Sequence, residues 1–237
     1  MNIRIKAFTC IVAAAACWAS CKKNNDAPTV QLTTSLNVVN ASNNVINFYQ
    51  NGTRINNTSS YYPGGSLGYV TVKAGLQNFQ VKLASPSTPN VLFSKPITLD
   101  TGKVYSLYIS GQTPESVFFA EDVLKADADG NALVRFVNAS PDAGPLMLAF
   151  EGGSLPDHVL DTVKFSNVVY KATDVAFIKV KGGFVHNVAV YQASSPSSPK
   201  RDTTIVLNAG QIYTLISYGT VGSNGNQGLS TRLIINQ

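Results

Sequence analysis

One pattern occurs twice in this chain and decides its fold: residues 99–111, LDTGKVYSLYISG, and residues 207–219, LNAGQIYTLISYG. Each copy reads as the end of one strand, a turn at Gly102 or Gly210, and a second strand. Alternating residues from Val104 to Ile109 are typical of a half-buried strand. Glycine accepts the positive φ that a tight turn requires. The pattern therefore predicts β structure, and its recurrence predicts a repeat.

A second motif supports the repeat. Residues 36–42, LNVVNAS, match residues 134–140, VRFVNAS, and residues 72–75, VKAG, match residues 180–183, VKGG. The matches keep their order while their offset drifts, as loop insertions would cause. A unit near 100 residues has the size of a domain. We predict two domains, 34–124 and 132–237, joined by a polar linker, 125–131.

Runs rich in Val, Ile, Thr, Tyr and Phe predict seven strands in the first domain and eight in the second. Turn pairs such as Asn51-Gly52 separate them. We therefore expect an all-β protein with two tandem Greek-key β-sandwich domains. The one exception is a short helix that could start at Thr113-Pro114-Glu115-Ser116.

Residues 1–20 are typical of an export signal, with Arg4 and Lys6 followed by an Ala-rich apolar stretch. The sequence Ala19-Ser20-Cys21 resembles a bacterial lipoprotein signal, in which cleavage precedes the cysteine that is then lipidated. Cys21 is the predicted lipidation site, because the polar tether 21–33 begins there. The alternatives are lipidation at Cys17 and ordinary secretion without a lipid.

Lipidation at Cys21 would place the protein in the cell envelope, as an outer-membrane lipoprotein that faces the periplasm or the surface. The membrane would be its partner, bound through the lipid anchor. Two acyl chains anchor a protein stably in a membrane, whereas a single chain binds only marginally. All three cysteines lie at positions 10, 17 and 21, so the mature chain would have no disulfide. An exported domain without disulfide bonds must be stabilised by its own apolar core.

Composition excludes two classes of protein. With 44 % hydrophobic and 13 % charged residues, the chain is too apolar for a disordered protein. Removal of Arg4 and Lys6 with the signal lowers the net charge from +5 to +3, without a basic block. That charge is too low and too dispersed for a nucleic-acid partner.

Residues 134–143, VRFVNASPDA, resemble the opening motif of DUF4397, a bacterial domain family of unknown function. Residues 177–183 and 207–215 resemble later elements of the family, and Glu121-Asp122, Gly130 and Val134-Arg135 resemble its junction between units. The resemblance implies tandem sandwiches of immunoglobulin- or transthyretin-like fold on an exported lipoprotein. It supplies no catalytic residue and no cofactor.

Candidate chemistry is sparse. Residues 64–68, GGSLG, fit a nucleophile elbow around Ser66, but that motif needs a strand before it and a helix after it. The sequence has two histidines, His158 and His186, as partners for a hydrolase or ligands for zinc. Neither has a recognisable motif, and we expect a protein that is not an enzyme.

Two weaker sites remain. Asp127, Asp129 and Asn131 have the spacing of calcium ligands, although the later EF-hand positions do not fit. Tyr61, Tyr62 and Tyr69 are candidates for stacking on sugar rings, with amide side chains to bond the hydroxyls; the structural alternative is core tyrosines.

The leading expectation is a lipid-anchored envelope protein that presents its domains for interaction or adhesion. The alternatives are a carbohydrate-binding accessory lipoprotein and, less favoured, a hydrolase.

Overall fold

The first half of the chain folds into eight strands that pair into two sheets. The computed structural model describes residues 30–56, 59–84, 90–151, 162–196, 199–223 and 225–237. The strands are Thr33–Asn40 (β1), Ile46–Gln50 (β2), Thr53–Arg54 (β3), Gly65–Lys73 (β4), Gly75–Leu83 (β5), Val91–Leu99 (β6), Val104–Ile109 (β7) and Val117–Glu121 (β8). Four of these strands form sheet I, in the order β4-β1-β7-β8. The other four form sheet II, in the order β3-β2-β5-β6.

The second half folds into eight further strands. They are Ala132–Asn138 (β9), Leu146–Phe150 (β10), Thr162–Val168 (β11), Ile178–Val180 (β12), Phe184–Gln192 (β13), Pro199–Leu207 (β14), Ile212–Tyr218 (β15) and Ser230–Ile235 (β16). The order β12-β9-β15-β16 makes sheet III, and β11-β10-β13-β14 makes sheet IV. Among the described residues, no helix is both long and apolar enough to cross a membrane.

The strand order is the same in both halves, with β9 to β16 in the places of β1 to β8. β1 pairs in parallel with β7, as β9 does with β15, whereas the hairpin ladders are antiparallel. In an immunoglobulin constant domain the first two strands are neighbours in one sheet. Here β1 and β2 lie in opposite sheets. The predicted all-β class, with sheets in sandwich-like pairs, is confirmed.

Each predicted run overlaps an observed strand, although β5 and β14 extend further towards the N-terminus than predicted. β3 has no predicted counterpart, because at two residues it is too short to show a period. The expected short helix is a single 3-10 turn, Pro114–Ser116, with Pro114 at its first position. Proline fits there because the first N–H of a helix has no partner within the helix.

Each pair of sheets encloses its own core. The core between sheets I and II contains Leu36, Phe48, Phe79 and Leu107, and the core between sheets III and IV contains Phe136, Leu148, Val190 and Leu215. A third cluster lies between sheets I and III and draws on both halves: Val39, Ala41, Tyr108, Phe118, Val137, Ala139, Ile216, Tyr218 and Ile234. Consistent with this, Leu32–Gln237 form one compact unit.

The third cluster explains why β7 is buried on both faces. Tyr105 and Leu107 enter the first sandwich core, while Ser106 and Tyr108, which alternate with them, are 0 % and 1 % exposed. The Tyr108 ring stacks on Phe118 with centroids 5.0 Å apart, a contact that typically contributes about 0.5–1.5 kcal/mol beyond area burial. Alternate side chains of β7 therefore face two different buried surfaces, and neither face of the strand meets solvent.

Candidate functional site at the loop end

The repeated Asn-Ala-Ser motif organises the same loops in both halves. Asn40 Nδ2 donates to the carbonyls of Asn44 (2.6 Å) and Tyr61 (2.9 Å), and Asn40 Oδ1 accepts from Ser42 N (3.0 Å). Asn40 is fully buried. Since buried backbone carbonyls need partners, this one amide side chain fixes two loop segments at the end of β1.

Asn138 repeats this arrangement at the end of β9. Its Nδ2 donates to Gly144 O (2.8 Å) and Val168 O (3.1 Å), and its Oδ1 accepts from Ser140 N (3.1 Å). The repeat of the motif is visible in the sequence, but its role in holding two loop segments is not. The available signal was an asparagine kept at the same place in two apolar strands.

In the second half, the motif continues into Pro141-Asp142 and binds a further loop. Ser140 Oγ donates to Gly219 O (2.7 Å), and both oxygens of Asp142 accept from Val221 N (3.1 and 3.0 Å). The first half has Asn43-Asn44 in this place and lacks the aspartate. The loop after β15 is therefore attached to the loop after β9.

The loops of both halves meet at one end of the sheets. We call this the loop end; it comprises residues 41–45, 61–64, 110–116, 139–145, 169–172, 219–223 and 225–229. Ser110 Oγ and the Tyr170 hydroxyl are 2.7 Å apart, and Lys171 Nζ donates to the carbonyl of Glu115. The Phe118 and Tyr170 rings contact edge to face at 6.1 Å. The two sets of loops thus form one continuous surface.

A groove of about 460 Å³ lies beside this surface, where edge strands β4 and β16 meet. Its walls are Gly64, Gly65, Ser66 and Gly68 on one side and residues 232–235 on the other. Gly64 has φ +70°, and a Cβ there would lie 2.5 Å from Tyr218 Cζ. Only glycine lets the chain approach Tyr218 this closely.

A buried polar network joins sheets I and III away from the loop end, where β8 and β16 end. Asp122 Oδ1 accepts from Arg135 Nη2 at 2.6 Å, and Asp122 Oδ2 accepts from Ser106 Oγ (2.6 Å) and from the Tyr69 hydroxyl (2.7 Å). Asn236 Nδ2 donates to the same Tyr69 oxygen at 2.9 Å. Burial, followed by the charge of Asp122, raises the pKa of Tyr69 well above its usual range, so the phenol stays protonated and donates.

The three tyrosines predicted as sugar-stacking candidates do not share one surface. Tyr61 is 1 % exposed and belongs to the first sandwich core, and the Tyr69 hydroxyl bonds to Asp122 in the polar network. Tyr62 is 66 % exposed and lies in the loop end. The three are close in sequence, but successive side chains of extended chain point to opposite sides.

The calcium candidates already have a cation beside them. Lys179 Nζ lies 2.6 Å from Asp127 Oδ1 and 3.4 Å from Asp129 Oδ2. Asp127 Oδ2 also accepts from the side chain of Asn131 at 2.8 Å. The hydrogen bonds from Lys179 and then Asn131 lower the pKa of Asp127 to about 2. Among the described residues, no group of three His, Cys, Asp or Glu side chains is arranged to hold a metal ion.

The hydrolase candidates are distributed over separate sheets. Ser66, on β4 of sheet I, donates its hydroxyl to Asn37 Oδ1 and accepts from Gly68 N. His186, on β13 of sheet IV, has Nε2 3.0 Å from the Lys181 carbonyl and its ring against Phe150. The strand Gly65–Lys73 includes Ser66, so the helix that an elbow requires is not there. His158 lies outside the described residues, as do Cys17 and Cys21.

Comparisons with known proteins give one family match. A family model described as "Domain of unknown function (DUF4397)" matches residues 34–149. The matched range runs from within β1 to within β10 and includes both Asp122 and Arg135. The resemblance that we find in residues 177–183 and 207–215 lies beyond it.

Other comparisons add little. No curated protein matches the sequence. Among solved structures, the chain is similar to the crystal structure of CBMbc (family CBM26) from Eubacterium rectale Amy13K in complex with maltoheptaose, with 10 % identity and a TM-score of 0.27 over 86 % of this chain and 96 % of that chain. At this TM-score the similarity supports no inference about a ligand.

Proposed function

We propose that this protein is a non-catalytic, lipid-anchored component of the bacterial cell envelope that uses the loop end as its interaction surface. The observation that carries the proposal is the position of the loop end relative to the start of β1. Thr33 and Leu32 accept hydrogen bonds from Gly102 N and Ala74 N, in turns at the other end of sheet I. A chain held by its N-terminal segment would therefore present the loop end away from its anchor.

The anchor is the predicted lipid on Cys21. Eleven residues separate Cys21 from Thr33, and fully extended they could span at most about 40 Å. Labelling cells with a lipid precursor tests this: wild type and Cys17→Ala should be labelled, and Cys21→Ala should not. A labelled Cys21→Ala protein would disprove the site. Protease treatment of intact cells then separates surface from periplasmic display.

The proposal of a non-catalytic role draws on the placement of the candidate residues. Ser66 and His186 lie on strands of different sheets and bond to Asn37 and to a backbone carbonyl, respectively. A nucleophile and its base must approach within hydrogen-bond distance. We expect the Ser66→Ala variant to retain whatever function the wild type has.

Interaction through the loop end can be tested with matched surface variants. Tyr62 and Leu76 are similarly exposed, at 66 % and 70 %, but Leu76 lies beside the turn at the opposite end of sheet I. In-cell cross-linking should give a partner adduct with wild type and Leu76→Ser, and a reduced one with Tyr62→Ser. Equal adducts with both variants would remove the loop end as the interaction surface.

The alternative function is carbohydrate binding. It is favoured by one observation: exposed Tyr62 follows directly on the buried Tyr61 and precedes the groove at Gly64, with Asn43 and Asn44 in the neighbouring loop. An aromatic ring beside amide groups can stack on a sugar and bond its hydroxyls. A glycan array with wild type and Tyr62→Ala tests it, and no binding at millimolar concentration would exclude it.

We also infer that the two halves are copies of one unit. The shared strand order supports this, as do Asn40 and Asn138 at equivalent places. A further equivalence lies in the polar network: Ser106 Oγ donates to Asp122, and Thr214 Oγ1 donates to Asn236 Oδ1 at 2.7 Å. A profile built from one half that failed to detect the other half in related chains would contradict the duplication.

A further inference from the structure

The first sandwich has a cavity of about 300 Å³ on its open side, between edge strands β3 and β4. The residues that line it are Ile55, Asn56, Ser59, Tyr61, Leu67 and Val70. None of these described residues carries a charge. Ile55 and Val70 pack against the sandwich core, while Leu67 is 44 % exposed. The walls are therefore uncharged and combine apolar side chains with neutral polar groups, and the cavity reaches the surface at Leu67.

Tyr61 forms the buried wall of this cavity. Its backbone is held in place: Tyr61 N donates to Ile46 O (2.9 Å), and Tyr61 O accepts from Ile46 N (3.0 Å) and from Asn40 Nδ2 (2.9 Å). Its hydroxyl, by contrast, has no hydrogen-bond partner in the part of the chain that the structure describes. A buried polar group without a partner is costly and calls for an explanation.

The hydroxyl is a neutral hydrogen-bonding group. Burial raises the pKa of Tyr61 to about 12, so the phenol keeps its proton at physiological pH. Two other polar side chains line the cavity, those of Asn56 and Ser59. Asn56 is engaged: its Oδ1 accepts from Phe48 N (2.9 Å), and its Nδ2 donates to Asn47 Oδ1 (2.9 Å) and Ser59 O (2.5 Å). Ser59 takes part in an interaction of its own. The tyrosine hydroxyl is thus the polar group that remains for a ligand.

We propose that this cavity binds a small neutral molecule with an apolar ring and a single oxygen that pairs with the Tyr61 hydroxyl. A cavity near 150 Å³ already holds a benzene ring, so the space at Tyr61 suffices for a substituted ring. A sugar fits poorly, because its several hydroxyls would need several polar partners. The site goes beyond the proposed function and does not depend on the lipid anchor or on the loop end.

Two ligands of nearly equal shape test the proposal on the full chain. The probes are 4-methylphenol and p-xylene, which differ in the single hydroxyl, and binding is followed by ligand-observed NMR. We expect 4-methylphenol to bind wild type and its affinity to fall about five- to tenfold in Tyr61→Phe, as for the loss of one hydrogen bond. The affinity of p-xylene should be equal in wild type and Tyr61→Phe.

Two further variants complete the test. Tyr62→Phe makes the same change at the exposed neighbour and should leave both affinities unchanged. Leu67→Trp places a bulky ring at the exposed mouth and should abolish binding of both probes without entering the core. The proposal is overturned if neither probe binds at millimolar concentration, or if Tyr61→Phe binds 4-methylphenol as tightly as wild type.

Discussion

Asp122 and Arg135 form an ion pair across the interface between the two halves, with 2.6 Å between Oδ1 and Nη2 and side chains that are 0 % and 3 % exposed. Charges so far from water are tolerated only when they are paired and hydrogen-bonded. Ser106 and Tyr69 complete the shell around the carboxylate, and the Tyr108 hydroxyl and Thr214 accept from the guanidinium at 3.1 Å. The pair therefore ties sheet I to sheet III.

Removing either partner should destabilise the whole unit. Asp122→Ala or Arg135→Ala would leave an uncompensated buried charge, which typically costs about 3–5 kcal/mol. Denaturant unfolding measures the loss. The double variant Asp122→Leu/Arg135→Met removes both charges and should recover a large part of it. Single variants that cost less than about 1 kcal/mol would show that the pair is dispensable.

Asn138→Ala should loosen the loop end. It leaves the carbonyls of Gly144 and Val168 without their donor, and an unpaired buried group costs about 1–3 kcal/mol. Denaturant unfolding measures this loss. Hydrogen exchange of the Lys171 amide, which donates to Asn138 O, gives a local readout. The control Asn43→Ala changes an exposed amide of the same surface and should remain within about 0.5 kcal/mol of wild type.

Two glycines with similar φ separate backbone strain from close packing. Gly52 has φ +82° and open space around a Cβ, while Gly64 has φ +70° and Arg232 Cγ 2.8 Å from a Cβ. Gly52→Ala should cost about 1–2 kcal/mol from the left-handed conformation alone. Gly64→Ala should cost about 1–3 kcal/mol more, because overpacking is added. Equal melting temperatures for the two variants would contradict the contact between the halves at Tyr218.

The Asp127–Lys179 pair predicts a defined acid dependence. The pKa of Asp127 is depressed to about 2 in the folded chain, against about 3.9 in an unfolded one. Its stabilising contribution is therefore present above pH 4 and is lost as the pH falls from 4 to 2. The melting temperatures of wild type and Asp127→Asn should differ at pH 6 and converge near pH 2.

The Asp127 effect should be small, since Lys179 is 59 % exposed and solvent screens its charge. Raising the salt concentration at pH 6 should reduce the difference further. A difference that grew towards pH 2 would show that Asp127 is not the group that titrates. The same variants answer the calcium question: a calcium-induced rise in melting temperature that is lost in Asp127→Asn would favour the metal site.

Local patterns in the sequence were sufficient to predict every described strand except the two-residue β3. The alternation in β7 and the glycine turns are properties of a few consecutive residues, and the matched motifs set the order of the elements. The tyrosines show the limit of such patterns. Tyr61, Tyr62 and Tyr69 form a cluster along the chain, yet the structure sends them to a core, to the surface and to a buried network. Which side of a strand meets solvent depends on what packs against it.

By itself, the sequence determined the β architecture, the repeated strand–turn–strand pattern and the asparagine that ends β1 and β9, because these follow from backbone preferences over short distances. Only the tertiary structure decided that sheets I and III face each other. That contact depends on partners far apart in the chain, such as Tyr69 and Asn236, whose side chains meet across 167 positions. Burial of both faces of β7 follows from it, and no periodicity within a single strand distinguishes a second protein surface from water.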